Sequence, residues 1–263
     1  MQTTVRSIAN ILALVAVIAV NAMASILPIN GQSTGAISDR YPVLTTPAGY
    51  AFSIWGLIYT SLIAFAVYQA LPSQRDNPRI RALDGLFLLN CLANIGWIFT
   101  WHYEILALNV VMILAMLGTL LAIYLRLSAS RAQARRWDWL LLDAPFSLYF
   151  GWVTVATIVN LSVALYALPW TGAGVPADVW AALLLAVGAG IATLVGLRRS
   201  DPVYPSVVVW AFAAIAVKQA AMPLVANAAL ATAGLAALVA LVALVRSLRP
   251  GTGPFGTRQP QRG

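Results

Sequence analysis

Long apolar runs alternate with short basic or turn-rich segments along most of the chain. The shorter runs cover about 8–27, 50–71, 83–101, 105–125, 139–168 and 179–197, and a longer one covers 203–245. A helix of about 20 apolar residues crosses roughly 30 Å of hydrocarbon. The longest run would measure about 65 Å as one helix, so we predict a break near 222–227. The pattern predicts an all-α polytopic membrane protein with about eight spans.

The fifth run carries polar and aromatic residues on one helical face. At helical spacing, Pro145, Tyr149, Trp152, Ala156 and Asn160 fall within about 80° of arc. Leucine, valine, isoleucine and phenylalanine occupy most of the remaining circumference. We therefore expect the stripe to face the protein interior and the remainder to face lipid. The small Ala156 between Trp152 and Asn160 predicts free space beside the helix.

Two further runs carry a similar stripe. The second run has three aromatic residues within about 60° of arc, Phe52, Trp55 and Tyr59. The third has two asparagines and two tryptophans within about 60°, Asn90, Asn94, Trp97 and Trp101. Buried asparagines commonly join membrane helices by hydrogen bonds, and we assign that role to Asn90 and a pocket role to Asn94.

Composition and charge support a membrane protein. Hydrophobic residues make up 61% of the chain and charged residues 9%, with a net charge of +8 and a mean hydropathy of +0.83. If eight spans alternate in direction, fourteen of the sixteen basic residues fall on one side, and only Arg40 and Lys218 do not. The positive-inside rule then places both termini in the cytoplasm. The positive net charge therefore reflects the orientation of the protein in the membrane. For this reason we predict no nucleic-acid partner.

The segments outside the apolar runs add three expectations. Ala22-Met23-Ala24 resembles a signal cleavage site, but the first run is longer than a signal-peptide core, so we favour a retained helix. Residues 28–46 contain glycine, proline and hydroxyl residues and read as an ordered or lid-like loop. The glycine-, proline- and arginine-rich stretch 250–263 predicts a disordered cytoplasmic tail.

Isolated ionisable residues indicate no catalytic centre. His102 has no second metal-type ligand at useful spacing, and Cys91 has no disulfide partner, so we predict no metal site and no enzyme. Lys218 lies about 20 Å into its predicted helix. Its ammonium group would pair with a carboxylate or an anionic ligand, or its side chain would extend to the outer membrane boundary. We favour the second alternative. We expect Asp143, near the cytoplasmic boundary, to stay hydrated or to cap a neighbour.

Three motifs in order along the chain resemble those of the TspO/MBR family, the tryptophan-rich sensory proteins related to the translocator protein or peripheral benzodiazepine receptor. Pro47, Trp55 and Tyr59 keep the spacing of the family pattern P-x-W-x-F-x-x-x-W-x-x-L-Y. The segment from Asn94 to Trp97 resembles the family's N-x-x-W element.

The third motif lies in the fifth run. WVTVATIVN, from Trp152 to Asn160, resembles the family signature W-V-x-F-A-T-x-L-N, with Val155 and Val159 as apolar replacements. Leu148 stands where the family has a proline, with Pro145 nearby. The resemblance covers roughly residues 5–168.

The resemblance implies a five-helix TspO-like bundle in residues 1–168, followed by three additional transmembrane helices in 169–249 and the tail. It also implies a cavity for flat hydrophobic molecules, notably porphyrins such as protoporphyrin IX and haem, with sterols in some members. The first loop would cover that cavity. Position by position, the implied ligand-binding residues are Trp55, Tyr59, Asn94, Trp97, Trp152, Ala156 and Asn160.

Two functions from different classes remain open. The first is a membrane receptor or sensor for a porphyrin-like ligand, which is a bound molecule and not an obligatory cofactor. The alternative is a transporter of a hydrophobic or organic-ion substrate, with Lys218 and Asp143 as coupling charges. The resemblance also implies light-dependent porphyrin breakdown as an activity to look for. We expect a bacterial inner-membrane protein, and the last three helices would close the pocket, form a homodimer or add an activity.

Overall fold

The structure is a computed structural model that describes residues 3–27, 29–83, 85–168 and 170–248. Pro28, Pro169 and the predicted tail 250–263 lie outside the described residues. Within the described part, all regular elements are helical. The α-helices are α1 Thr3–Ile26, α2 Thr34–Arg40, α3 Ile54–Ala70, α4 Pro78–Arg81, α5 Leu86–His102, α6 Leu106–Ala129, α7 Ala144–Ala167, α8 Ala177–Arg199, α9 Val203–Lys218 and α10 Pro223–Leu248. A short 3₁₀ turn, Gly49–Ser53, leads into α3, and a π-helical turn, Trp139–Asp143, leads into α7.

The predicted all-α polytopic class is confirmed. Six helical segments have the length and hydropathy of membrane spans, including α3 and α7 with their preceding turns. Two more helices, α5 and α9, are apolar but have only 17 and 16 residues. These eight helices agree with the predicted number of spans. The break in the longest apolar run comes earlier than expected, after Lys218, because Pro223 begins α10, where its missing N–H costs nothing.

The fifth span, α7, lies at the centre of the molecule. It packs against α3, α6 and α9, so the expectation that most of its surface faces lipid is wrong. Phe146 and Val153, for example, are fully buried. At Gly151 the backbone of α9 comes so near that an added Cβ would lie 3.1 Å from the Val207 Cβ and 3.2 Å from the Tyr204 carbonyl oxygen. The C-terminal helices thus cover the face of α7 opposite the stripe.

The basic loops meet at one end of the bundle, which we call the basic end. There the Arg131 guanidinium donates to the carbonyl oxygen of Arg199 at 2.6 Å, and Arg246 donates to that of Leu197 at 3.3 Å. The opposite end carries α2, the α5–α6 turn and the α9–α10 turn, and we call it the lid end. This separation agrees with the alternating spans predicted from charge.

A buried ion cluster holds the basic end together. Arg79 is fully buried, and its guanidinium contacts Asp138 at 3.2 Å and Asp143 at 2.6 Å. Burial opposes the charge of Arg79, but hydrogen bonds to both carboxylates outweigh it and raise the pKa of the guanidinium. The Tyr68 hydroxyl also donates to Asp138, at 2.8 Å. We expected Asp143 to stay hydrated or to cap a neighbour, but it is ion-paired, because α4 brings Arg79 to the start of α7.

Asp201 fixes the α8–α9 turn at the same end. Its carboxylate accepts from the Tyr124 hydroxyl at 2.8 Å and from the Ser147 hydroxyl at 2.6 Å. It also accepts from the backbone N–H of Val203 at 2.9 Å, which caps the first turn of α9. One carboxylate thus joins α6 and α7 to α9.

Candidate functional site

Aromatic rings from α3, α5 and α7 meet around Trp55. The Trp55 ring stacks on Tyr59 with centroids 5.4 Å apart and planes 17° apart, and its centroid is 5.9 Å from that of Trp97. Edge contacts join it to Tyr149 at 5.8 Å and to Trp152 at 6.4 Å. Such offset and edge-to-face arrangements are the favourable geometries for aromatic pairs. The three stripes predicted from the sequence therefore converge.

Trp97 continues this cluster towards the lid end. Its ring stacks on Trp101 with centroids 6.4 Å apart and planes 20° apart. Its Nε1 donates to the Asn160 Oδ1 at 3.0 Å, and the Asn160 amide donates in turn to the Ala156 carbonyl oxygen at 2.7 Å. The Trp101 Nε1 donates to the Thr34 carbonyl oxygen at 3.2 Å. The ring positions are thus fixed by hydrogen bonds between α5, α7 and α2.

Two spaces that share part of their lining adjoin the rings. The larger, which we call the cleft, has a volume of about 570 Å³ and lies between α1, α2, α3 and α5. Its lining includes Ile18, Asn21, Ser25, Ser33, Thr34, Gly35, Phe52, Ser53, Trp55, Gly56, Tyr59 and Trp97. The smaller, which we call the inner cavity, has about 30 Å³ and lies between Trp55, Trp97, Trp101, Trp152, Ala156 and Asn160. Small-molecule pockets commonly measure about 300–1,000 Å³, so the cleft has a suitable size.

The seven predicted site residues differ in which of the two spaces they line. Trp55 and Trp97 line both spaces, and Tyr59 lines the cleft. The three α7 residues line the inner cavity, namely Trp152, Ala156 and Asn160. The Tyr59 hydroxyl is buried near the Asn94 amide, without a well-formed hydrogen bond to any described residue.

Asn94 borders neither space. It is fully buried, accepts from the Asn21 amide at 2.8 Å and donates to the Tyr149 hydroxyl at 2.8 Å. It therefore joins α1, α5 and α7 behind the rings. Asn90 donates to the Met116 carbonyl oxygen at 3.2 Å and so joins α5 to α6, the role we assigned to it.

Asn21 lines the cleft from α1 but was not among the residues predicted from the sequence. A signal for it exists, because Asn10 and Asn21 are three helical turns apart and therefore share one face of α1. That face is the one that packs against α3 and α5. The lid residues that border the cleft were not predicted either. Ser33, Thr34 and Gly35 line the cleft at the start of α2, which we call the lid.

His102 fastens the start of the lid. This residue ends α5, is fully buried, and has Nδ1 3.0 Å from the Ile29 carbonyl oxygen and Nε2 3.0 Å from the Thr34 hydroxyl. A carbonyl oxygen only accepts, so Nδ1 carries a proton, and in the neutral imidazole Nε2 accepts from the threonine. The Asn30 amide also donates to the His102 carbonyl oxygen, at 3.0 Å. Both ring nitrogens are thus used in holding the lid.

The end of the lid is held by ion pairs. Arg40 pairs with Glu104 in the α5–α6 turn, and the Tyr41 hydroxyl donates to the same carboxylate at 2.7 Å. The hydrogen bond from Tyr41 and the Arg40 charge lower the pKa of Glu104. Burial and the Glu104 contact raise the pKa of Tyr41 to about 12. Lys218 ends α9 and pairs with Asp39, so its partner carboxylate comes from the lid.

The helix α9 also contacts the entry to α3. The Ala48 N–H donates to the Ala214 carbonyl oxygen at 3.1 Å, and the Trp210 Nε1 donates to the Ala51 carbonyl oxygen at 3.1 Å. Ala51 and its neighbours Phe52 and Ser53 lead directly into the cleft wall. The C-terminal helices therefore support the same segment that positions Trp55.

The chemistry of the cleft wall is uncharged. Its polar side chains are an asparagine, a tyrosine, serines and a threonine, and none of its lining residues carries a charge. In the described part of the chain, no three histidine, cysteine, aspartate or glutamate side chains lie close enough to hold a metal ion. Aromatic faces with a few neutral hydrogen-bonding groups suit a flat, largely apolar molecule.

Comparison with protein-family models gives one match, described as a TSPO-like protein, over residues 7–242. The chain belongs to the TSPO-like family. The matched region begins in α1 and ends in α10, so it includes the three helices beyond the motif-bearing residues. Comparisons with curated proteins and with solved structures gave no significant match.

In this TSPO-like chain the two charges considered for transport lie far from each other. Lys218 is at the lid end, paired with Asp39, and Asp143 is at the basic end, paired with Arg79. Neither residue lines the cleft or the inner cavity. The transport alternative stays an untested prediction.

Proposed function

We propose that this TSPO-like membrane protein is a receptor or sensor that binds a flat hydrophobic ligand in the cleft. Porphyrin-type tetrapyrroles such as protoporphyrin IX or haem are the first ligand class to test, and sterols are the second. The observation that carries the proposal is the aromatic wall, in which Trp55 contacts Tyr59 and Trp97 beside a space of about 570 Å³. Stacked rings match an extended π-system.

The sizes of the two spaces suggest how a ligand would lie. The inner cavity, with about 30 Å³, admits about one water-sized group. The bulk of a tetrapyrrole would therefore occupy the cleft, with one face on Trp55 and Tyr59. A polar edge of the ligand would meet neutral hydrogen-bonding groups of the cleft lining, such as Ser33 and Ser53.

A sensing role would use the lid. Thr34 borders both spaces; its hydroxyl donates to the His102 Nε2, and its carbonyl oxygen accepts from the Trp101 Nε1. A ligand that contacts Thr34 would therefore bias the position of the lid relative to α5. A difference in lid position between the free and bound protein is the signal that a partner could recognise.

Titration of the purified protein with protoporphyrin IX, followed by tryptophan fluorescence, tests binding. We expect saturable quenching in the wild type and at least about tenfold weaker binding in Trp55→Leu, because that ring contributes one face of the stack. Trp137→Leu is the matched control, since it removes an exposed tryptophan at the basic end. Equal affinities for wild type and Trp55→Leu would contradict the proposal.

A second variant keeps every tryptophan in place. Ala156 borders the inner cavity, and Ala156→Phe would fill that cavity and press on Trp152. We expect it to weaken protoporphyrin binding without changing the number of fluorophores. Uptake into proteoliposomes that requires Lys218 would instead favour the transport alternative. Light-dependent porphyrin breakdown is a separate expectation that the same samples can test under illumination.

A further inference from the structure

Arg6 is a buried cation at the basic end of α1. Arg6 is only 7% exposed. Its Nε and Nη2 atoms are buried, and neither has a hydrogen-bond partner among the described residues. Guanidinium nitrogens that are buried without acceptors carry a large desolvation cost. The arrangement is therefore favourable only if an anion completes it.

The neighbours of Arg6 add a further unused donor. Asn10 lies one turn later on the same face of α1, and its amide donates to the Gln69 Oε1 at 2.9 Å. The Nε2 of Gln69, a residue that is 2% exposed, is also buried and unpaired among the described residues. The Ser7 hydroxyl contacts the Gln69 carbonyl oxygen at 3.5 Å. Three unused N–H-bearing nitrogens thus lie between the basic ends of α1 and α3.

The carboxylates described at this end are already engaged. Asp76 pairs with Arg81, and Asp138 and Asp143 pair with Arg79. Asp201 accepts hydrogen bonds from two hydroxyl groups and from α9. Within the described ranges, none of these carboxylates forms an ion pair with Arg6. An anion for this site must come from outside the described part of the protein.

We propose that Arg6 and Gln69 form a binding site for a phosphate group. A guanidinium presents N–H groups in a planar fork that matches two phosphate oxygens, and the Gln69 amide would donate to a third. Arg6 lies one residue into the apolar span that begins at Val5, at the level of a membrane boundary, so the structure favours an anionic phospholipid headgroup over free phosphate.

Native mass spectrometry of the full-length protein in neutral detergent tests this site. Phosphatidylglycerol, diacylglycerol and inorganic phosphate are the probes. We expect the wild type to retain phosphatidylglycerol at least about tenfold more tightly than Arg6→Gln, because charged hydrogen bonds are lost. Arg75→Gln, which removes an exposed arginine at the same end, should bind like the wild type. Equal retention by wild type and Arg6→Gln would overturn the proposal.

The probes separate the two sources of phosphate. Retention of phosphatidylglycerol without any effect of inorganic phosphate assigns the site to lipid. A rise in melting temperature with inorganic phosphate, present in the wild type and absent in Arg6→Gln, keeps the phosphate site but rejects the lipid as its source. Diacylglycerol bound as tightly as phosphatidylglycerol would show that the acyl chains alone bind, which would also overturn the proposal.

A second variant covers the case in which Arg6→Gln does not fold. Gln69→Glu keeps the size of the side chain and places a carboxylate beside Arg6, where it supplies the missing anion internally. We expect this variant to lose phosphatidylglycerol retention while its melting temperature in lipid-free detergent stays equal to or above that of the wild type. Undiminished retention in Gln69→Glu would contradict the site.

Discussion

At the basic end, buried charges join the helices, whereas at the lid end, partly exposed ion pairs hold a short helix over an open cleft. Arg79 and its two aspartates are almost completely removed from solvent, and the space beside them has only about 10 Å³. At the lid end, the Asp39 and Arg40 side chains are 62% and 45% exposed, and the adjoining cleft has about 570 Å³. The same chain therefore has a closed end and an end with room for a ligand.

The difference indicates which contacts can change during function. Breaking a buried ion pair leaves an uncompensated charge, so the basic end must stay assembled in every state of the protein. Partly exposed pairs cost little to break, because water replaces the lost partner. Movement at the lid end is therefore energetically accessible while the basic end holds the helices in register.

The largest effect is expected from Arg79→Met. Removal of the guanidinium leaves Asp138 and Asp143 without their cation in a buried position, and we expect a destabilisation of about 3–5 kcal/mol. Thermal unfolding in detergent measures it. Arg81→Met removes the exposed Asp76 pair at the same end and should cost at most about 1 kcal/mol. Similar losses in the two variants would contradict the distinction between the ends.

The next effect is expected from Gly151→Val, which tests the close approach of α7 and α9. A side chain there would meet the Val207 side chain and the Tyr204 carbonyl oxygen, and backbone cannot give way as a flexible side chain can. We expect a loss of about 1–3 kcal/mol in the free energy of unfolding. Gly118→Val, where an added Cβ meets nothing within 4 Å, is the matched control.

The site residues that could be predicted from the sequence are those on a helical stripe of polar and aromatic residues. Trp55, Trp97 and Trp152 could be placed inside because each lies on a helical stripe, and the 3.6-residue repeat fixes the face of a residue from its neighbours alone. Family motifs then indicated that the three stripes belong to one pocket. The convergence of the rings around Trp55 agrees with that inference.

The unpredicted part depends on contacts between distant segments. Lys218 and Asp39 are 179 positions apart, and no periodic pattern relates them. Asp143 looked like a boundary residue because its partner, Arg79, comes from a short loop helix. The lipid-facing expectation for α7 failed for the same reason, since α6 and α9 from separate parts of the chain pack against it.

A smaller, pH-dependent effect is expected at Glu104. Contacts with Tyr41 and Arg40 lower its pKa, so the ionised form stabilises the lid at pH above the ordinary value of about 4.3. This contribution is lost as the pH falls through the lowered pKa. We expect Glu104→Gln to cost at most about 1 kcal/mol at neutral pH, because the carboxylate is partly exposed.

The difference between wild type and Glu104→Gln should shrink towards zero as the pH falls through the lowered pKa of Glu104, because the wild-type carboxyl is then also protonated. Melting temperatures recorded across that range measure it. The contact has an upper limit as well, since Tyr41 must stay protonated to donate. Its pKa of about 12 means that the hydrogen bond is kept in neutral solution. A difference that is independent of pH would show that Glu104 acts through packing alone.

The smallest effect on stability, and the most specific effect on the cleft, is expected from the Lys218–Asp39 pair. Lys218→Met should change the free energy of unfolding by only about 0.2–1 kcal/mol, because the partner carboxylate is largely exposed. The pair nevertheless links α9 to the lid directly. Its loss should increase hydrogen exchange in α2 and the rate at which protoporphyrin IX enters and leaves the cleft.

An exchange of the two charges provides the decisive control. The double variant Asp39→Lys with Lys218→Asp reverses the pair, and we expect it to restore slow hydrogen exchange in α2, whereas Asp39→Lys alone should not. The exchange measurement needs no ligand, so it tests the lid even if protoporphyrin IX does not bind. If α2 exchanges equally fast in wild type and Lys218→Met, the His102 and Glu104 contacts suffice to hold the lid, and α9 has no part in closing it.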